Sequence, residues 1–233
     1  MKIGILALGR PTFDVQYAKE RLTASLKFLS STNHNIFGSC ELLLNEQDAL
    51  KEINKLRKEN LDFVIIIQVT FTDSSTILKI ATCLEKQIGI WAFPEPRLGG
   101  RLRLNAFCGL NLASHTLGLN NIPFSWIYEN PENMNDTKFE ILINSNNSKR
   151  PKKILEIPSL GSKKAKSVKE KIHNLKIGKI GTHPDGFDTC KYDQKKLFGL
   201  CGITVDEIDI DTFLNNSKNI KSEEIEPTLN KLK

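Results

Sequence analysis

The sequence predicts an α/β fold, a doubly wound and mostly parallel sheet followed by the start of a second α/β domain. Three observations carry this. Short apolar stretches alternate with stretches of helical spacing four or five times before Tyr128. The run Phe63-Val64-Ile65-Ile66-Ile67 has no polar alternation, as a parallel strand covered on both faces requires. The texture Lys2-Ile-Gly-Ile-Leu6 returns as Lys176-Ile-Gly-Lys-Ile180, which marks a second beginning.

The elements follow in order. Met1–Leu8 reads as a short buried strand, and Gly9-Arg10-Pro11 turns the chain. Asp14–Leu29 carries Val15, Ala18, Leu22, Leu26 and Leu29 on one helical face. Asn45–Glu59 is a second helix with Asn45 placed to cap it. Leu61–Val69 is the clearest strand, and Thr72 or Asp73 can cap the helix Ser74–Lys86. Gly89–Phe93 is a strand, Asn105–Leu119 a helix and Phe124–Tyr128 a strand. Such an alternation is Rossmann-like or flavodoxin-like. Asn130–Asp136 reads as a Pro/Asn-rich loop, and the polar chain runs on through Asn144–Ser148. Lys163–Leu175 reads as an exposed basic helix, Leu175–Gly181 as a strand, and Leu197–Ile210 as a helix end and strand. The last fifteen or so residues are charged and weakly patterned. The expected domains are therefore 1–148, a basic linker and helix at 149–175, and the beginning of a second domain at 176–233, shorter than a domain that opens this way needs.

Composition limits the function classes. The net charge is +6, but residues 149–171 hold nine Lys/Arg against two Glu, so that stretch carries +7 and the rest −1. Lys outnumbers Arg by 26 to 7, and the stretch lacks interleaved aromatics for base stacking. It reads as a solvated linker, with nucleic-acid binding as a rival. No apolar run approaches a membrane span, and Ile3–Gly9 lacks the length and flanks of a signal peptide. Five cysteines without a CxxC pair suit reduced thiols in the cytoplasm.

Ligands of open α/β sheets gather at the carboxyl ends of the strands. Four segments lie there: Gly9–Asp14, Gln68–Thr72, Pro94–Arg101 and Gly181–Asp188. The first two are polar loops before helices. Neither carries GxGxxG or GxxxxGK, so nucleotide binding ranks low. In the third, Pro94-Glu95-Pro96 is a stiff elbow, and Gly99-Gly100 permits close backbone approach. Arg101, Arg103, Asn105, Cys108, Asn111 and His115 follow within fifteen residues. Cys108, Asn111 and His115 share one helical face. Cys108 and His115 are seven apart, too far along one helix for a thiol–imidazole pair. In the fourth, His183, Asp185 and Asp188 suit either a divalent ion or an Asx-type turn. Arg10, Gln68, Arg101, Asn105, Asn111, His115, His183 and Asp185 are the candidate substrate-binding residues.

Together these segments resemble the L-fucose/L-arabinose isomerase family. The opening Lys2-Ile-Gly-Ile…Gly9-Arg10-Pro11 resembles its first strand and turn. The run from Trp91 to His115 is similar to a stretch ending LNxxCGxNxAxH in fucose-isomerase-like proteins. Ile180–Cys190 with Phe198-Gly199 resembles the start of the family's second domain. The resemblance implies an aldose–ketose isomerase, which binds an open-chain pentose or 6-deoxyhexose and a divalent cation, usually manganese, and moves a proton through an enediol. It also implies that a Gln/His pair on a first-domain helix reaches a neighbouring subunit's site. Asn111 and His115 match that pair, with Asn giving a shorter reach than Gln. The family's metal ligands lie later than this chain extends, so no complete catalytic or metal site is expected here. A homo-oligomer or a complementary C-terminal chain is the expected partner, with no nucleic acid and no membrane. A non-catalytic sugar-binding module or regulatory subunit of the same fold is the alternative.

Overall fold

The unbroken apolar run is the middle of the sheet. In the computed structural model, which describes residues 1–144, 163–184 and 186–232, it forms β3 (Phe63–Gln68), and all six of its residues are buried. β1 (Lys2–Leu8) and β4 (Gln87–Ala92) flank it, with β2 (Asn35–Gly38) and β5 (Phe124–Tyr128) at the edges. All four pairings are parallel, and the order is β2-β1-β3-β4-β5. That is the flavodoxin-like order, in which the winding direction reverses between β1 and β3.

The helices cover both faces. α2 (Glu46–Leu56), α3 (Ser74–Leu84) and α4 (Ala106–Leu119) pack side by side. α1 (Val15–Ser30) and α5 (Asp136–Ile143) meet through Phe28 and Phe139, whose rings stand edge to face at 5.6 Å. The capping residues fix where helices begin. Asp14, Asn45, Asp73 and Asn135 accept from the backbone N–H groups of Tyr17, Asp48, Ser75 and Lys138. The choice between Thr72 and Asp73 therefore falls to Asp73. Trp91, Phe63, Phe93 and Phe139 are the largest wholly buried side chains.

Two elements depart from the sequence expectation. β2 is a four-residue edge strand that carries no apolar run. The stretch read as loop and polar chain contains a short 3-10 turn, Pro131–Asn133, and then α5. Phe139, Leu142 and Ile143 of α5 are buried, and this 3–4 spacing is what closes the core over β4 and β5.

The chain divides into two units, Met1–Ile154 with Asp185–Thr189, and Leu155–Pro184 with Cys190–Lys233. The expected boundary at 148/149 and most of the basic stretch fall outside the described residues. The second unit contains α6 (Lys163–Ile172), β6 (Lys176–Ile180), α7 (Gln194–Cys201), β7 (Thr204–Ile208), α8 (Ile210–Lys218) and α9 (Ser222–Leu232). β6 and β7 pair in parallel. The weakly patterned C-terminal residues thus form α9, and α8 before them starts at its cap Asp209. Among the described residues of this unit, Val205 is the buried apolar side chain, while Phe198, Phe213, Leu229 and others stay exposed. No helix among the described residues is long and apolar enough to cross a membrane.

Leu142 touches the sheet where Gly89 leaves room: a Cβ on Gly89 would lie 3.0 Å from Leu142 Cδ1. Leu142→Ala empties that contact and is expected to cost about 2–5 kcal/mol. Urea unfolding of the variant measures it, and a loss well under 1 kcal/mol would mean α5 is not part of the core.

Candidate functional site

The reversal of winding between β1 and β3 opens a crevice at their carboxyl ends. A cavity of about 230 Å³ lies there, lined by Gly9, Arg10, Leu43, Asn45, Thr72, Asp73 and neighbouring residues. Arg10 crosses it. Its backbone N–H donates to Thr70 Oγ1 at 2.8 Å, and its guanidinium pairs with Asp73. Burial alone would raise the Asp73 carboxyl's pKa. Hydrogen bonds from Ser75 and Arg10 outweigh that, and the pKa lies below the usual carboxylate value.

Gln68 ends β3 and is wholly buried. Its Nε2 donates to Thr70 O at 2.7 Å and to Thr72 Oγ1 at 2.9 Å, so its amide shapes the loop that follows. α4 rests on it at Gly109, where a Cβ would come within 2.8 Å of Gln68 Nε2. The glycine is thus what lets helix and glutamine touch.

Three loops are sewn together along this edge. Phe71 N–H donates to Leu104 O at 2.8 Å, and Asp14 N–H to Arg103 O at 3.0 Å. Arg101 Nη2 donates to Thr12 O at 3.0 Å. Arg103 pairs with Asp14 at 2.8 Å and lies over the Tyr17 ring, 3.9 Å from its centroid. Hydrogen bonds from the Tyr17 backbone N–H and from Arg103 lower the pKa of Asp14. Glu95 closes the third loop. Its carboxylate accepts from the backbone N–H groups of Arg103, Leu104 (3.1 Å) and Asn105 (2.9 Å). Asn105 stands at the N-cap of α4 in a left-handed conformation, φ 51°, and makes no capping bond with its own side chain. Glu95 instead holds the amide of this N-cap residue and those of the two residues before it.

The other candidates divide. Asn111 and His115 are exposed on the solvent face of α4 together with Cys108, and neither side chain has a hydrogen-bond partner among the described residues. His183 lies in the second unit, beside a cleft of about 200 Å³ lined also by Lys179, Cys190, Tyr192, Gln194 and Glu207. There Lys179 pairs with Glu207 at 2.7 Å. This hydrogen-bonded ion pair raises the lysine pKa and lowers that of the acid. Asp185 lies outside the described residues. Gly186, in the first unit, accepts from Ser74 N–H (3.1 Å) and Oγ (2.6 Å). Sequence reasoning brought Asp14 and Glu95 into view only as members of loops. The acid between two prolines was the available signal for Glu95.

Two outcomes test this geometry. Glu95→Ala should speed amide hydrogen exchange at Arg103, Leu104 and Asn105 about tenfold or more, because each loses a charged acceptor. Unchanged exchange would remove the clamp. Asp73 has a lowered folded-state pKa, so its contribution to stability is present above the unfolded value and is lost as pH falls through the folded one. Asp73→Asn should therefore flatten the acid side of a denaturation-midpoint profile and change little of its shape at neutral pH. An acid limb as steep as that of the unaltered protein would sink this assignment.

A family model described as fucose/sulfoquinovose isomerase, N-terminal domain, matches residues 4–146. A sulfoquinovose isomerase of Priestia megaterium is 25% identical over 203 residues, 87% of this chain and 41% of that protein. One from Clostridium sp. is 24% identical over 226 residues, 96% of this chain and 45% of its own length. One from Alkalicoccus urumqiensis is 27% identical over 163 residues, 70% and 32% respectively. The chain thus spans less than half the length of these curated relatives. With most of its first unit matched, the chain belongs to the fucose/sulfoquinovose isomerase family through that family's N-terminal domain.

Proposed function

We propose that this chain takes part in aldose–ketose isomerisation and supplies a sugar-binding surface rather than the proton-transfer centre. The observation that carries the reading is the outer face of α4. Asn111 and His115 lie one turn apart, exposed and unpartnered among the described residues, inside the segment that the family model matches. An amide and an imidazole offer donors and acceptors at a spacing suited to adjacent sugar hydroxyls. Their outward placement suits service to a site on a neighbouring chain, a second copy or a complementary one. The relatives' names make sulfoquinovose the first sugar to test, with L-fucose next.

The reaction moves a proton from C2 of an aldose to C1 through an enediol, while the hydroxyl proton passes between O2 and O1. It needs a base and stabilisation of the enediol oxygens, which the family resemblance assigns to a carboxylate and a divalent cation. The described residues do not fit such a cation. No three His, Cys, Asp or Glu side chains converge among them. Three acids of the carboxyl edge are committed elsewhere: Asp73 to Arg10, Asp14 to Arg103, and Glu95 to three amides. The part left to this chain is binding and orientation.

Incubation with sulfoquinovose in D2O, with and without manganese, followed by NMR, tests this. Binding without deuterium uptake at C2 is expected. Uptake by this chain alone would place the proton-transfer centre within it, and absence of binding to either sugar would remove the reading. A chain that binds the sugar yet leaves isomerisation unaffected when joined to a catalytic partner would be a binding module instead. His115→Ala should weaken binding about five- to tenfold with an unchanged melting temperature, since the imidazole supports nothing in the fold.

A further inference from the structure

The chain uses lysine for positive charge, 26 to 7 over arginine, yet four of its seven arginines stand at one edge. Arg10 follows β1, and Arg97, Arg101 and Arg103 lie between β4 and α4. The three sewn loops, residues 9–14, 69–73 and 93–105, contain no lysine at all. Arginine, unlike lysine, presents a planar, multi-donor guanidinium.

The arginines are not equivalent. Arg10 is committed to Asp73, and Arg103 to Asp14 and the Tyr17 ring. Arg97 and Arg101 have no carboxylate partner among the described residues, and both are exposed. The three acids of the loops, Asp14, Asp73 and Glu95, are all bonded inward. Arg101 is nonetheless held in place: Nη2 donates to Thr12 O at 3.0 Å, which leaves its other N–H groups free. Glu95, bonded to the amides of residues 103–105, pins the loop that carries both arginines at its neck. At its tip, Gly99 and Gly100 adopt φ of +72° and +75° with open space where a Cβ would stand. The result is a preorganised cationic rim beside loop acids, Asp14, Asp73 and Glu95, that are bonded elsewhere.

We propose that Arg101, with Arg97 on the same loop, forms an anion subsite at the carboxyl edge that recognises the sulfonate of a sulfonated aldose. A guanidinium matches a three-oxygen anion through paired N–H donors. The inference rests on the isomerase reading above, because it deepens that reading from a sugar to a sugar carrying an anionic end. It assigns the discrimination between sulfonated and plain 6-deoxy sugars to this loop.

The test is titration of the chain, at constant ionic strength, with sulfoquinovose, with 6-deoxyglucose, which lacks the sulfonate, and with sodium sulfate. Sulfoquinovose should bind at least about tenfold more tightly than either. Arg101→Gln should remove most of that gap by weakening sulfoquinovose binding far more than 6-deoxyglucose binding. Arg57→Gln removes an equal charge from an exposed position at the C-cap of α2 and should leave the gap intact. A gap that survives in the Arg97→Gln/Arg101→Gln double variant overturns the subsite and leaves the isomerase reading standing. Sulfate binding as tightly as sulfoquinovose overturns it in favour of a general anion site. Failure of both sugars to bind removes both readings.

Discussion

The Glu95 carboxylate holds three consecutive backbone N–H groups, and the geometry of the carboxyl edge depends on that grip. The start of α4 needs acceptors for its orphan amides. Its own N-cap residue, Asn105, is in a left-handed conformation and gives no side-chain acceptor. Glu95 accepts from the amide of that residue and from those of the two before it, and in doing so closes the intervening chain into a loop. Arg103 is then placed for Asp14 and Tyr17, and Leu104 O for the amide of Phe71. One carboxylate therefore connects the start of a helix to the arrangement of three loops.

Stability and orientation come from different parts of the molecule. The sheet centre, Phe63 to Ile67 with Ile5, Leu6 and Ile90, is stripped of water, at about 1.5–3 kcal/mol for each large side chain fully buried. The ion pairs of the edge are half-exposed, and such pairs contribute little to stability. Their role is to aim groups and to consume charge. The edge can thus tolerate glycines and prolines that would weaken a core, because the sheet beneath carries the load.

The fold was legible wherever local pattern and tertiary role coincide. The run at Phe63, the 3–4 spacing after Asp14 and the caps Asn45 and Asp73 each state their structure within a few residues. β2 was not legible because an edge strand of four residues, two exposed and two half-buried, has no periodicity to show. α5 carried a readable signal in Asn135, Phe139, Leu142 and Ile143, but the Pro/Asn-rich residues just before it spoke more loudly for a loop. The site was legible as a set of loops and not as a set of bonds. Asp14 and Arg103 are 89 residues apart, and Arg10 and Asp73 63 apart. No local spacing can show which arginine is spent and which is free.

That distinction bears on what the edge can receive. A cation needs acids with free lone pairs, and the three acids here have given theirs to arginines and amides. A nucleotide phosphate wants a run of free N–H groups at a helix start. At α3 one such group is satisfied by Asp73, while at α4 Glu95 holds the amides of the N-cap residue and of the two residues before it. A sugar asks for something different: donors and acceptors held still, in a surface that does not repel hydroxyls. Gln68, itself buried, holds Thr70 and Thr72 in place, and the paired Arg10 and Asp73 add fixed polar groups without excess charge. Among the described residues of these loops, the pairing of charges thus leaves Arg97 and Arg101 as the guanidiniums without a carboxylate partner.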